Sequence, residues 1–233
     1  MPATFVLLPG AGSDSWYWHR VAPILEGSGH SVIAVDLPYG DDDAGQYEFA
    51  DVVVDAVEDV EGAIVLVAQS MSAFTAAIVC QRGEVDVDLL VLVAPMVPAP
   101  GEAPGRWWEN TGQPEAKRAF DVLEGRDPDA PNDLKSLFFH DVPDDVTEEA
   151  FGQGAPVMSD TPFATVWQAE AWPFVKTRVV AGSRDRMLPL DFMQRIVRER
   201  LGIVPDVIDT GHLAALARPG ELAAMLERYA SEL

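Results

Sequence analysis

The residues best suited to chemistry begin with a serine that follows a short apolar run. Ile64–Ala68 is rich in β-branched residues, and Ser70 leads from it into a stretch with helical spacing. A small residue flanks the serine two positions away on each side, Ala68 before it and Ser72 after it. This small-x-Ser-x-small pattern resembles a nucleophile elbow, a sharp strand-to-helix turn that presents a serine and leaves room only for small neighbours. Both usual glycines are replaced, so an ordinary serine at a helix start is the alternative interpretation.

A serine nucleophile needs a base to take its proton and an acid to orient that base. Asp185 follows the apolar run Thr177–Ala181, and His212 follows Pro205–Ile208. Both residues come just after a predicted strand, where the ligand sites of parallel sheets gather. The chain order Ser70, Asp185, His212 is also the order that the α/β-hydrolase arrangement requires. We therefore predict that these three residues form a catalytic triad.

Asp185 has another possible role, and two further features, Cys80 and an acidic run, could in principle carry chemistry. The alternative interpretation of Asp185 is an exposed loop carboxylate that pairs with Arg184 or Arg186. Cys80 lies in an apolar segment, which favours a buried core thiol over a nucleophile. The acidic run Asp41–Asp43 lacks the spaced ligands of a calcium loop, so we predict no metal site there.

Acyl transfer also needs N–H donors for the negative charge that develops on the substrate oxygen. The N–H of Met71 directly follows the predicted nucleophile. The turn Leu8–Gly12 after the first strand is rich in glycine, which allows its backbone to approach a substrate closely. We predict that the backbone N–H groups of Ala11 and Met71 form the oxyanion hole. A phosphate-binding loop is disfavoured because the turn has neither the P-loop lysine nor a G-x-G-x-x-G pattern.

The elements that must position these residues are short apolar strands alternating with helices. The predicted strands are Thr4–Leu8, Ser31–Asp36, Ile64–Ala68, Leu89–Ala94, Thr177–Ala181 and Pro205–Ile208. The predicted helices between and after them are Trp16–Glu26, Phe49–Val60, Met71–Gln81, Leu190–Leu201 and Glu221–Tyr229. This alternation predicts an α/β fold with a mainly parallel sheet of about six strands, covered by helices on both faces.

The pattern is interrupted between residues 95 and 173, where proline, glycine, tryptophan and charged residues are mixed. A structureless loop of this length is improbable in a compact domain. We predict a helical cap over 95–173, inserted late in a sheet domain formed by 1–94 and 174–233, with short helices at Glu115–Leu123, Leu134–Phe139 and Thr147–Phe151. Its aromatic residues are candidates for a substrate pocket, with the cap's own core as the alternative. They are Trp107, Trp108, Phe138, Phe139, Phe163 and Trp167.

The stretch Phe5–Asp36, and within it Pro9–Trp18, resembles the methylesterase and hydroxynitrile lyase branch of the α/β-hydrolase superfamily. In that branch the first strand is usually followed by His-Gly. Here Pro9 stands in place of the histidine, so any polar role of the histidine side chain is absent. Lyases of the branch carry threonine where this chain has Gly10 and lysine where it has Leu213. The resemblance therefore implies an esterase of a carboxylic ester, a thioester or a lactone, and we include these two positions in the predicted pocket.

The composition of this 233-residue chain disfavours some classes of binding partner. Lys and Arg number 16 against 38 Asp and Glu, a formal net charge of −22, which disfavours nucleic acid and anionic membrane surfaces. The single cysteine cannot form an internal disulfide, and neither a targeting segment nor a membrane span is recognisable. We expect a cytoplasmic monomer or homodimer that acts on a small apolar or aromatic ester without a metal or cofactor. Two alternatives stay open: a small-molecule binding protein of the same fold, and a carbon–carbon bond hydrolase or lyase.

Overall fold

The computed structural model describes residues 2–131 and 133–233, and these contain a six-stranded parallel sheet. The strands are Thr4–Leu8 (β1), Ser31–Ala34 (β2), Ile64–Gln69 (β3), Leu89–Val93 (β4), Thr177–Gly182 (β5) and Asp206–Ile208 (β6). Their order across the sheet is β2-β1-β3-β4-β5-β6, and every neighbouring pair is parallel. The predicted parallel sheet is confirmed, and β3, which leads to Ser70, lies between β1 and β4.

Helices cover both faces of this sheet, which explains why β1, β3 and β4 are buried along their whole length. The α-helices are Ala22–Gly27 (α1), Gln46–Ala56 (α2), Ser72–Arg82 (α3), Pro104–Thr111 (α4), Gln113–Leu123 (α5), Leu134–Phe138 (α6), Asp144–Gly152 (α7), Thr161–Ala164 (α8), Leu190–Leu201 (α9), Ala214–Ala217 (α10) and Pro219–Ala230 (α11). Helices α2, α3 and α9 pack on one face, and α1, α10 and α11 pack on the other. None of the helices in the described part of the chain has the length and apolar character needed to cross a membrane.

Five of these helices, α4 to α8, lie between β4 and β5, in the segment where the sequence predicts an insertion. Two buried residues of the segment, Glu102 and Trp167, bond to helices that cover the sheet. Glu102 forms an ion pair with Arg200 of α9, and the indole of Trp167 donates to Gln81 of α3. Where the sheet domain ends and a cap begins stays a prediction.

Two predicted helices differ from the structure. The segment Trp16–Glu26 is not one helix, because a 3-10 helix ends at Trp18 and α1 begins only at Ala22. Pro23 in the first turn of α1 explains the interruption, since proline lacks the N–H that a continuous helix would need there. The helix predicted at Phe49–Val60 instead spans Gln46–Ala56. Its start is stabilised by Glu48, which accepts a hydrogen bond from the N–H of Gly45, the residue before the helix.

Candidate active site

Ser70 occupies a strained turn between β3 and α3. Its φ is 55°, in the left-handed region that residues with a side chain rarely adopt. Backbone bonds hold this conformation: Ser70 N–H donates to the Val93 carbonyl at 3.0 Å, and Met96 N–H donates to the Ser70 carbonyl at 3.0 Å. The flanking Ala68 and Ser72 are fully buried, as close packing between strand and helix requires. The local geometry is that of a nucleophile elbow even though both glycines are replaced.

The structure brings together the three residues of the predicted triad. His212 Nε2 lies 3.2 Å from Ser70 Oγ, and His212 Nδ1 lies 2.7 Å from Asp185 Oδ2. The three side chains belong to turns at the carboxyl ends of β3, β5 and β6, which parallel pairing places along one edge of the sheet. All three residues are at least 94% buried, with exposed fractions of 6%, 1% and 2% for Ser70, Asp185 and His212.

Two backbone amides orient the carboxylate of Asp185. Its Oδ1 accepts hydrogen bonds from the N–H groups of Met187 at 2.8 Å and Leu188 at 2.9 Å. The alternative of an exposed loop aspartate is not what the structure shows, because Arg184 pairs with Asp209 and Arg186 bonds a carbonyl of α6. Asp185 Oδ2 is therefore directed at the imidazole, where it accepts the proton of Nδ1 and leaves Nε2 facing the serine as an acceptor.

The turn after β1 lies directly against the serine. A Cβ built on Gly10 would lie 3.0 Å from the Cβ of Ser70 and 1.9 Å from Oε1 of Gln69, so a side chain there would require Gln69 to move. In the described part of the chain, the N–H groups of Ala11 and Met71 donate to no other protein group. Ala11 is exposed, whereas Met71 is fully buried at the start of α3. Both amides are free to serve as oxyanion donors, and that role stays a prediction.

One of the predicted pocket aromatics, Phe138, lies next to the three residues. The ring of Phe138, half-buried at the end of α6, is 5.4 Å from the imidazole of His212. Phe139, its neighbour, packs instead on Phe151 at 5.2 Å. Leu213 is half-buried against the α10–α11 face of the sheet. Phe138 is therefore the aromatic side chain best placed to meet a substrate.

The tryptophans of the predicted pocket belong to the hydrophobic core on the α2–α3–α9 face. Trp107 and Trp167 are fully buried, and their indole N–H groups donate to the Val97 carbonyl at 2.8 Å and to Gln81 Oε1 at 2.7 Å. Trp108 packs edge-on against Trp107, with ring centroids 5.3 Å apart. These contacts favour the alternative of a structural core, and a contribution to the pocket stays a prediction.

Sequence reasoning did not find Asp141, which bonds the backbone beside His212. Its Oδ2 accepts hydrogen bonds from Gly211 N–H at 2.7 Å and from the Thr210 hydroxyl at 2.9 Å. Arg184 lies 3.8 Å from the same oxygen and offsets its charge. No motif marks Asp141, because it lies 71 positions before His212 in the segment between β4 and β5. Among the described residues, no cluster of three or more His, Cys, Asp or Glu could hold a metal ion.

Comparison with known proteins shows the family of the chain. The model of the alpha/beta hydrolase family matches residues 5–225, and the chain therefore belongs to that family.

Among similar proteins, norfluorocurarine synthase 1 from Strychnos nux-vomica is 24% identical over 256 residues, which cover 98% of this chain and 96% of that protein. Methylesterase 3 from Arabidopsis thaliana is 21% identical over 251 residues, covering 97% and 95%. The crystal structure of polyneuridine aldehyde esterase superposes with a TM-score of 0.78 at 18% identity, covering 99% of this chain and all of that one. The resemblance to the methylesterase branch is confirmed.

Proposed function

We propose that this protein is a serine hydrolase that cleaves carboxylic esters. The observation that carries the proposal is the continuous series of contacts from Ser70 through His212 to Asp185, buried at the carboxyl edge of the sheet. A serine hydroxyl on a strained elbow, a histidine within hydrogen-bond reach and an oriented carboxylate are the parts that acyl transfer needs. The names of methylesterase and esterase relatives support the choice of esters as substrates.

The chemistry proceeds in two steps. Ser70 Oγ attacks the ester carbonyl while His212 Nε2 takes its proton, and the N–H groups of Ala11 and Met71 stabilise the oxyanion of the tetrahedral intermediate. The intermediate collapses, the C–O bond of the leaving group breaks, and His212 returns the proton to the departing alcohol. A water molecule, deprotonated by the same histidine, then attacks the acyl-enzyme. The bond between the acyl carbon and Ser70 Oγ breaks, His212 returns the proton to Ser70, and the acid is released. Throughout, Asp185 stabilises the positive charge that the imidazole carries transiently.

The substrate that this site suits best is a small, uncharged ester with an apolar or aromatic group. Phe138 supplies an aromatic surface beside His212, and Met158, which is 47% exposed, lies against Gly12 in the turn after β1. A formal net charge of −22 lowers the local concentration of anionic substrates. We therefore expect uncharged esters to be hydrolysed faster than esters that carry a carboxylate.

A panel of p-nitrophenyl esters of increasing acyl length tests the proposal. We expect turnover by the wild type and a loss of about 10⁴-fold or more in kcat for Ser70→Ala, with an unchanged unfolding midpoint. A fluorophosphonate probe should label Ser70 and no other residue. Turnover that survives the substitution would refute the serine mechanism, and absence of turnover with every ester would favour the small-molecule binding protein.

A further inference from the structure

Two buried hydroxyl groups converge on one backbone carbonyl in the turn after β1. Ser72 Oγ donates a short hydrogen bond to the carbonyl oxygen of Pro9. The hydroxyl of Tyr39 lies 3.3 Å from the same oxygen and 3.2 Å from Ser72 Oγ. Ser72 is fully buried and Tyr39 is 5% exposed, so water does not compete effectively for these bonds. We refer to Ser72, Tyr39 and the Pro9 carbonyl as the hydroxyl clamp.

The hydroxyl clamp holds one end of the turn that presents Ala11. At the other end, Ser13 N–H donates to the Gly10 carbonyl at 3.2 Å and closes the turn. Between these two bonds, Gly10 packs closely on Gln69 and Ser70, since Oε1 of Gln69 occupies the position that a Cβ on Gly10 would take. The orientation of the Ala11 N–H is therefore determined by bonds on both sides of it.

Both hydroxyls keep their protons, so they remain donors. Burial raises the pKa of the Tyr39 phenol well above its ordinary value, and a serine hydroxyl does not ionise. A carbonyl oxygen has two lone pairs and can accept from both groups at once. Ser72 stands where the usual elbow has glycine, and it combines a side chain small enough for the strand-to-helix contact with a hydroxyl that glycine lacks.

We propose that Ser72 and Tyr39 are positioning residues that hold the Pro9–Ser13 turn so that the Ala11 N–H faces the oxyanion. This inference rests on the proposed function, because an oxyanion forms only if Ser70 attacks a carbonyl. An oxyanion hole stabilises the transition state to the extent that its donors are already in place. Loss of the hydroxyl clamp frees the turn, and a displacement of about 1 Å in such a group can lower the rate by about 100-fold.

The experiment compares Ser72→Ala, Tyr39→Phe and the double variant with the wild type by three measurements. These are amide hydrogen exchange of the Pro9–Ser13 segment, kcat and KM for p-nitrophenyl acetate, and inhibition by a trifluoromethyl ketone that forms a tetrahedral adduct with serine. We expect faster exchange in the turn, a fall of about 10- to 100-fold in kcat with KM within about twofold, and weaker inhibition in proportion to kcat/KM.

Tyr229→Phe is the matched control, because the hydroxyl of this buried tyrosine donates to Asp206 and, among the described residues, hydrogen-bonds neither the turn nor α3. It should change neither the exchange of the turn nor kcat. Tyr39→Phe keeps the ring that packs on Phe49 and therefore decides the result if Ser72→Ala fails to fold.

Clamp variants with unchanged exchange, or with kcat within twofold of the wild type, would overturn the inference. Failure of the proposed function is distinguishable from this result. In that case Ser70→Ala retains turnover, or the wild type shows none. If only the clamp inference fails, Ser70→Ala is inactive and the clamp variants are as active as the wild type.

Discussion

His212 Nδ1 lies 2.7 Å from Oδ2 of Asp185, and the second oxygen of the same carboxylate is held by two backbone N–H groups. A carboxylate fixed at one oxygen presents the other in a single direction. The imidazole is thereby held with its opposite nitrogen 3.2 Å from Ser70 Oγ. The relationship explains why a loop aspartate is 1% exposed in a chain whose acidic residues are otherwise mostly at the surface.

Asp185→Asn should lower kcat by about 10³- to 10⁴-fold while the protein stays folded, because an amide N–H facing Nδ1 favours the wrong tautomer. The measurement is ester turnover together with the urea midpoint of unfolding. Asp209→Asn is the matched control, since this exposed aspartate lies in the same region and pairs with Arg184. Equal activity of the two variants would argue against a role for Asp185.

Asp141→Ala should lower kcat by about 10-fold or more, because it removes the acceptor for the Gly211 N–H directly before His212. Asp141→Asn retains a carbonyl oxygen at this position and should lose less activity. Asp133→Ala provides the comparison, since this exposed carboxylate caps α6 in the same inserted segment. Wild-type kcat in Asp141→Ala would show that the hydrogen bond does not position the histidine.

The proximity of Ser70, Asp185 and His212 could be predicted from the sequence because each follows an apolar run. Parallel strands end at one edge of a sheet, so residues that directly follow them are brought together whatever their separation along the chain. Tyr39 and Asp141 follow no such rule. Their positions depend on how the loop after β2 and the helices between β4 and β5 pack, and no local pattern encodes that.

The role of the aromatic residues between β4 and β5 could not be predicted from the sequence either. Composition places Trp107 and Trp167 in the inserted segment, but whether an indole lines a cavity or fills a core depends on its partners. The structure supplies an acceptor in the sheet-facing core or on α3 for each of the two N–H groups. Helices α4 and α8 were not predicted, because Pro104 and Pro162 suggest a loop. Both prolines lie in the first turn of their helix, where proline is well accommodated.

Acidification should destabilise the protein through His140. Burial, and next the positive charge of Arg186, lower the pKa of His140 below its ordinary value, and its Nε2 has no hydrogen-bond partner among the described residues. The unfolded chain therefore binds a proton more readily than the folded one. The contribution of neutral His140 to the free energy of unfolding is fully present above the ordinary histidine pKa of about 6.5. It is lost as the pH falls through the lower pKa that His140 has in the folded protein.

His140→Gln should reduce the drop in the urea midpoint between about pH 7.5 and pH 5.5 relative to the wild type, because glutamine does not titrate in this range. Between about pH 7.5 and pH 8.5 the two proteins should respond alike. An identical acid-side drop in both would place the pH dependence elsewhere in the chain.

The buried ion pair between Glu102 and Arg200 anchors the inserted segment to α9. The carboxylate is 3% exposed, lies within hydrogen-bond reach of both guanidinium Nη atoms, and also accepts from Asn110 at 2.8 Å. Glu102→Ala leaves a largely buried guanidinium without a carboxylate to offset its charge, which should cost about 3 kcal/mol of unfolding free energy in urea titrations.

Glu109→Ala on α4 is the control for this loss, because it breaks an exposed ion pair with Arg106. The side chain of Arg106 is 75% exposed and that of Glu109 is 81% exposed. Exposed pairs contribute little, and the change should stay within about 0.5 kcal/mol. If Glu102→Ala were as stable as Glu109→Ala, the segment would be held by its tryptophan contacts and not by this ion pair. Since Glu102 contacts none of Ser70, Asp185 and His212, folded Glu102→Ala protein should keep its ester turnover, which separates anchoring of the segment from catalysis.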